Sequence, residues 1–164
     1  MRQAIVPGSF DPVTYGHLDI IERAARIFDV VWAVVFHNPE KNGGLFSIDE
    51  RLTMLREATG HIANVRIDAS DGLLTAYARA HDIGVVVKGL RAFSDFEYEF
   101  KMALMNKRLD EQLETLFMMT ATEYAYVSSS VLKEVCQYGG SVRGLVPPLV
   151  EQRLEAKFRR DRRQ

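Results

Sequence analysis

Apolar positions along the chain fall into two alternating rhythms. Short, nearly continuous apolar runs recur: Ala4-Ile5-Val6, residues 30–36, Val65-Arg66-Ile67, Ile83-Gly84-Val85-Val86-Val87 and Thr115-Leu116-Phe117-Met118-Met119. Runs of this length, rich in β-branched residues, suit parallel strands covered by helices on both faces. Pro7-Gly8 is expected to stop the first strand, and the third is weak enough to belong near a sheet edge. Between these runs the apolar positions take helical spacing. Ile20, Ile21, Ala24, Ala25 and Phe28 predict a helix over 17–28. Ser47-Ile48-Asp49-Glu50 has the form of a capping box, opening a helix through Leu52, Met54, Leu55 and Ala58. Asp71 is placed to cap a helix through Leu74, Tyr77 and Ala78. Ser94-Asp95-Phe96-Glu97 repeats the capping-box pattern before a long helix to about 109. Ser128 or Ser129 is placed to cap a helix through Val131, Leu132 and Val135 that ends at Gly139-Gly140. Pro147-Pro148 begins a last helix, about 147–161.

Strand and helix alternate throughout. That order predicts an α/β fold, a doubly wound five-stranded parallel sheet of order 3-2-1-4-5 with right-handed crossovers. No linker, repeat or low-complexity stretch divides the chain, so residues 1–164 read as a single domain. The long helix carries two apolar stripes, Phe96, Phe100, Ala103 and Tyr98, Met102, Met105, Leu109. One stripe can face the sheet. The other predicts a contact in a homo-oligomer, because a monomer rarely leaves so much contiguous apolar surface open.

Composition narrows the class. One Cys among 164 residues excludes an internal disulfide framework. Cys136 reads as a small core residue of an amphipathic helix. A net charge of −1 argues against a chain built to coat nucleic acid or an anionic membrane. No apolar run approaches the ~20 residues of a membrane span, and a cytoplasmic location is expected. The basic segment 157–163 reads as a solvated helix end rather than a nucleic-acid arm.

In a doubly wound sheet, ligands bind beyond the strand carboxyl ends, at the point where the order reverses. There the loop from Pro7 to His17 would face Lys88-Gly89-Leu90-Arg91, read as the segment after the fourth strand. Gly8 would admit a close backbone approach, and Ser9 offers a hydroxyl. Gly16-His17 opens a helix whose first amides attract anions. Lys88 supplies a point charge and Arg91 a planar fork for phosphate. Lys41, after the second strand, and Ser128-Ser129-Ser130, after the fifth, reach toward the same rim. Taken singly, His17 is a cap, Lys41 a solvated lysine and the serines a helix start; their common position at strand ends carries the inference. Gly-x-Gly-x-x-Gly after the first strand and the P-loop motif are both missing, which argues against a dinucleotide cofactor and a P-loop enzyme. No Ser-His-acid order presents a nucleophile, and His37, His61 and His81 lack metal-ligand spacing.

Gly8-Ser9-Phe10-Asp11-Pro12 followed by Thr14-Tyr15-Gly16-His17 resembles the Thr/His-x-Gly-His signature of the nucleotidyltransferase superfamily. With Lys88-Gly89-Leu90-Arg91, Asp95-Phe96-Glu97-Tyr98-Glu99 and Val127-Ser128-Ser129-Ser130, the chain resembles the bacterial phosphopantetheine adenylyltransferases from Ile5 to about Pro147. The resemblance implies a Rossmann-like nucleotidyltransferase fold. It also implies adenylyl transfer from ATP to 4′-phosphopantetheine, giving dephospho-coenzyme A and pyrophosphate in coenzyme A synthesis. Ser9, Phe10, His17, Gly89, Leu90, Arg91 and Glu99 would contact ATP, and the segment Tyr124, Ala125, Tyr126, Val127, Ser128, Ser129 and Ser130 would close over it. Ser9, Lys41, Leu74 and Lys88 would line the phosphopantetheine side. His17, Lys41, Lys88 and Arg91 would carry the catalysis. Mg²⁺ is expected on the ATP phosphates, with no metal site made by the protein. The family resemblance further implies a hexamer and feedback by coenzyme A. Ser9 stands where many members have Thr, and Lys88 where some have Arg. Enzymes of the superfamily that make NAD or CDP-alcohols, a non-catalytic nucleotide sensor and an RNA-binding role for the basic tail are the alternatives.

Overall fold

The computed structural model describes residues 1–37 and 44–161. Five strands, β1 (Gln3–Gly8), β2 (Val30–Phe36), β3 (Val65–Ser70), β4 (Val85–Leu90) and β5 (Glu114–Met119), form one parallel sheet of order β3-β2-β1-β4-β5. The helices are α1 (Tyr15–Ala25), α2 (Ile48–Thr59), α3 (Leu74–Ala80), α4 (Phe93–Leu109), α5 (Ser129–Gln137) and α6 (Pro148–Asp161), with one 3₁₀ turn at Thr122–Tyr124. This is the expected doubly wound arrangement: the order reverses between β1 and β4, so their carboxyl ends frame a crevice.

The side chains of β1, β2 and β4 divide between two cores. Ala4, Val6, Val31, Ala33, Val35 and Val87 are buried on one face with residues of α1, α2, α5 and α6. Ile5, Val34 and Val86 are buried on the other against Tyr77, Ala78, Ile83 and Leu113. Apolar side chains thus leave both faces of the central strands, which is why those strands read as unbroken apolar runs.

Several boundaries differ from expectation, each for a local reason. Pro7 and Gly8 do not stop β1; they stay in register with Val34 and Val35 of β2. β4 starts at Val85 and runs through Leu90, because the Ile83 amide is taken by Ala78 O in a turn and Lys88, Gly89 and Leu90 continue the ladder with Phe117, Met118 and Met119. Lys88 is therefore a strand residue, and Arg91 alone of the quartet lies beyond the strand. α1 starts at Tyr15 because Thr14 and His17 cap each other, and it gives way after Ala25 to a turn in which Phe28 N bonds Ala24 O. Ser47 and Glu50 form the expected capping box, and the bond from the Ser47 amide holds the Glu50 carboxyl below the usual range. Ser128 caps α5 by accepting from the Val131 amide.

Two expected caps are not formed. α3 begins after Leu73 without a side-chain cap, and α4 begins at Phe93 after Ala92, so Ser94 falls inside the first turn. The start of α4 is held instead by Asp95, whose carboxylate receives the Arg91 guanidinium. Neither stripe of α4 is covered: Phe96, Phe100, Tyr98 and Met105 are all more than 40% exposed. Ala103 is half-buried and Asn106 buried, so the seam of α4 against the molecule lies between the two stripes. Lys157 is not a free solvated cation; its ammonium bonds Glu50 at 3.1 Å and sits over the Phe46 ring, tying α6 to α2.

Candidate active site

At the carboxyl ends of β1 and β4 lies a cavity of about 330 Å³. Ser9, Phe10 and His17 line it from the β1 side, Lys88, Gly89 and Arg91 from the β4 side, Glu99 from α4, and Val127, Ser128, Ser129 and Ser130 from the start of α5. The stretches singled out in the sequence thus converge on one space, with His17 and Lys88 on its walls together. Leu90, Tyr124, Ala125 and Tyr126 are not part of the wall. Leu90 is buried, and Tyr124 packs its ring 6.0 Å from that of Tyr15. Lys41 lies outside the described residues.

His17 is held in one chemical state. The Thr14 backbone N–H donates to its Nδ1 at 3.0 Å, so the neutral ring carries its proton on Nε2. Burial, helped by the positive charges of Arg91 and Lys88, lowers its pKa to about 4. At neutral pH the ring is an uncharged N–H donor. The amides of the first α1 turn contribute less than expected, since those of Tyr15 and His17 are spent on Leu145 O and Thr14 Oγ1. The anion-binding character of this helix start therefore rests on the imidazole.

Phe10 closes the floor. Its backbone is in the left-handed region (φ 44°), and its buried ring meets the His17 ring edge-on, 5.1 Å between centroids. A Cβ on Gly8 would approach that ring to 3.1 Å, so the missing side chain at position 8 makes room for Phe10. Gly89 has the same character: a Cβ there would meet Ile20 Cγ1 at 2.8 Å.

The cations are paired. Lys88 Nζ lies 3.2 Å from Glu99 Oε1, and Arg91 is bonded to both carboxylate oxygens of Asp95 and to Val127 O. Three of the five Arg91 N–H donors are thus occupied, which leaves two for an incoming phosphate.

A second cavity of about 290 Å³ adjoins the first. Pro7, Gly8, Ser9, Lys88 and Glu99 belong to both, so the two spaces share a wall at the end of β1 and β4. Phe36, Leu74, Val86, Met102 and Ala103 make much of the remainder apolar, with Tyr98, Asn106 and Thr115 as polar points. Leu74 and Lys88 both line this second space. Thr14, the first residue of the Thr14-Tyr15-Gly16-His17 motif, and Thr120, unremarked in the sequence, also line the first cavity; Thr120 directly follows β5 and was findable by the strand-end rule.

The model of the family described as cytidylyltransferase-like matches residues 5–135. The chain belongs to that family. Its chemistry is accordingly nucleotidyl transfer, and the cytidylyltransferase-like match takes in both cavities. Two solved structures share the fold. A Vibrio parahaemolyticus protein assigned as a nicotinate-nucleotide adenylyltransferase is 16% identical, with a TM-score of 0.67 over 94% of this chain and 99% of that one. The nicotinic acid mononucleotide adenylyltransferase of Plasmodium falciparum, solved with NaAD, is 14% identical, with a TM-score of 0.67 over 94% and 95%. Among the described residues, no helix of this cytidylyltransferase-like chain is long and apolar enough to cross a membrane.

Proposed function

We propose that the chain transfers the adenylyl group of ATP to 4′-phosphopantetheine, releasing pyrophosphate and forming dephospho-coenzyme A, as a cytoplasmic enzyme. The observation that carries this reading is the second cavity. Its apolar wall of Phe36, Leu74, Val86 and Met102, dotted with Asn106 and Thr115, suits a long, flexible, amide-bearing arm better than a second nucleoside. Ser9 and Lys88, on the shared wall, stand where the acceptor phosphate would meet the α-phosphate of ATP.

A phosphate dianion is already a nucleophile near neutral pH, so the protein needs no base. Its oxygen attacks the α-phosphorus in line, the new P–O bond forms, and the bond to the bridging oxygen breaks with its electron pair leaving on pyrophosphate. What the protein supplies is placement and charge. Two unit negative charges ~4 Å apart repel by roughly 4 kcal/mol at an effective dielectric of ~20. Lys88 offsets this for the acceptor phosphate, with Lys41 assigned the same role by resemblance. His17 donates from Nε2 to the α-phosphate, and Arg91 takes charge on the departing pyrophosphate. Glu99, Gly89 and the segment from Val127 to Ser130 hold the nucleotide. Among the described residues no group of three or more His, Cys, Asp or Glu is arranged for a metal ion, so Mg²⁺ would be held through the phosphates of ATP and would lower their charge. Coenzyme A, which carries the same arm as the acceptor, is proposed as a competing ligand of the second cavity.

Pyrophosphate release decides the acceptor. The chain should turn over ATP with 4′-phosphopantetheine and be inactive with nicotinate mononucleotide, nicotinamide mononucleotide, or CTP with glycerol phosphate. Turnover of a mononucleotide in preference overturns the reading. ATP binding without turnover of any acceptor would make the chain a nucleotide sensor.

A further inference from the structure

Behind the nucleotide cavity, and outside its lining, Asp11 is buried with only 5% of its surface exposed. Its Oδ2 accepts from the Leu45 amide at 2.9 Å and from Lys133 Nζ at 3.0 Å. Its Oδ1 accepts from the Phe46 amide at 2.9 Å and lies 3.4 Å from Arg51 Nε. Arg51 is itself buried and donates onward to Phe46 O and Ser9 O. One carboxylate therefore faces two cations. Arg51, the more buried of the two, already neutralises it. Lys133 is surplus to charge balance, so its role must be sought in what it connects.

Lys133 lies on α5, one turn after Ser129. The Ser129 hydroxyl donates to Pro12 O at 2.8 Å, and Lys133 reaches the adjoining Asp11. The two side chains, four residues apart on one face of the helix, grip consecutive residues of the loop after β1. That loop carries Ser9 and Phe10 on one wall of the cavity, while Ser128, Ser129 and Ser130 form another. We propose that Lys133 is a positioning residue for nucleotide binding: through Asp11 it fixes the α5 wall to the β1 loop so that both meet the triphosphate as one rigid surface. The inference rests on the nucleotide reading of this cavity, and Lys133 itself touches neither substrate.

The test compares Lys133→Met and Lys133→Arg with the wild-type chain, measuring ATP affinity by calorimetry, the KM for 4′-phosphopantetheine by pyrophosphate release, and Tm. Lys133→Met should weaken ATP binding ~10-fold or more, the scale of a small misplacement of a binding wall. The acceptor KM should change several-fold less than the ATP affinity, since of the two joined surfaces only the β1 loop, through Ser9, reaches the second cavity, which does not use α5. Lys133→Arg, which can still reach the carboxylate, should recover ATP affinity to within about 3-fold. A lower Tm with unchanged ATP affinity of the folded variant overturns the proposal and makes Lys133 merely structural. An equal loss for both substrates overturns it as well. Should Lys133→Met not fold, Lys133→Gln carries the same comparison. Absence of ATP affinity in the wild-type chain overturns the nucleotide reading itself, and this inference with it.

Discussion

His17 meets its cavity uncharged, and that fixes what its removal should do. A neutral donor aimed at developing charge acts in the transition state more than in binding. His17→Ala should therefore lower kcat by roughly 10²-fold while the KM for ATP changes little; an unchanged kcat in steady-state assays would remove the ring from the chemistry. The same burial has a thermodynamic consequence. With a native pKa of about 4 against an ordinary 6.5, the unfolded chain takes up a proton that the native chain refuses at intermediate pH. Stability should thus rise from pH 4 to 6.5 and level off above, a contribution of no more than ~3 kcal/mol. Urea midpoints across this window should show the slope for the wild type and a shallower one for His17→Gln. The residues of the site were legible because His, Lys, Arg and Ser at strand ends already suggest phosphate chemistry. The pairing Lys88–Glu99 was not, since it joins β4 to α4 across space, and Arg91–Asp95, though only four residues apart, depends on α4 beginning at Phe93. Asp11 was in view within a familiar motif, but its buried contacts with Arg51 and Lys133 depend on packing that no local pattern encodes.

At the level of elements, helix starts divided by mechanism. Caps that form within four residues, at Ser47 and Ser128, were readable. Those expected at α3 and α4 do not form: the helices begin after Leu73 and Ala92, whose side chains make no cap bond. Strand ends were misjudged where Pro7 and the Lys88-Gly89-Leu90 segment continue in register with a neighbour, which only the assembled sheet dictates. Gly89 illustrates why this matters. It sits in β4 against α1, and Ile20, its neighbour there, is only 4% exposed. Gly89→Ala should force Ile20 or the strand to shift, destabilising the fold by ~1–3 kcal/mol and loosening the wall beside Lys88. A chemical-denaturation midpoint matching that of the wild type would show that α1 yields freely.

For the whole molecule, the α/β alternation carried the strand order, while coverage of α4 was overestimated. Phe96, Tyr98, Phe100, Leu104 and Met105 remain exposed. We propose that a second copy of this chain covers them, as resemblance to a hexameric family also implies. Light scattering should return a multiple of the 18.6 kDa chain mass, and Leu104→Glu should reduce it. A monomeric mass at micromolar concentration would sink this reading. The partition between the two cavities has a practical corollary. Ser9, Lys88 and Glu99 line both spaces, so the two cavities adjoin along the ends of β1 and β4. A single tethered molecule, adenosine at one end and an amide chain at the other, would reach into both across that shared edge. Tethering raises the local concentration of the second half, so such a bisubstrate inhibitor should bind ~10²-fold or more tighter than either half alone.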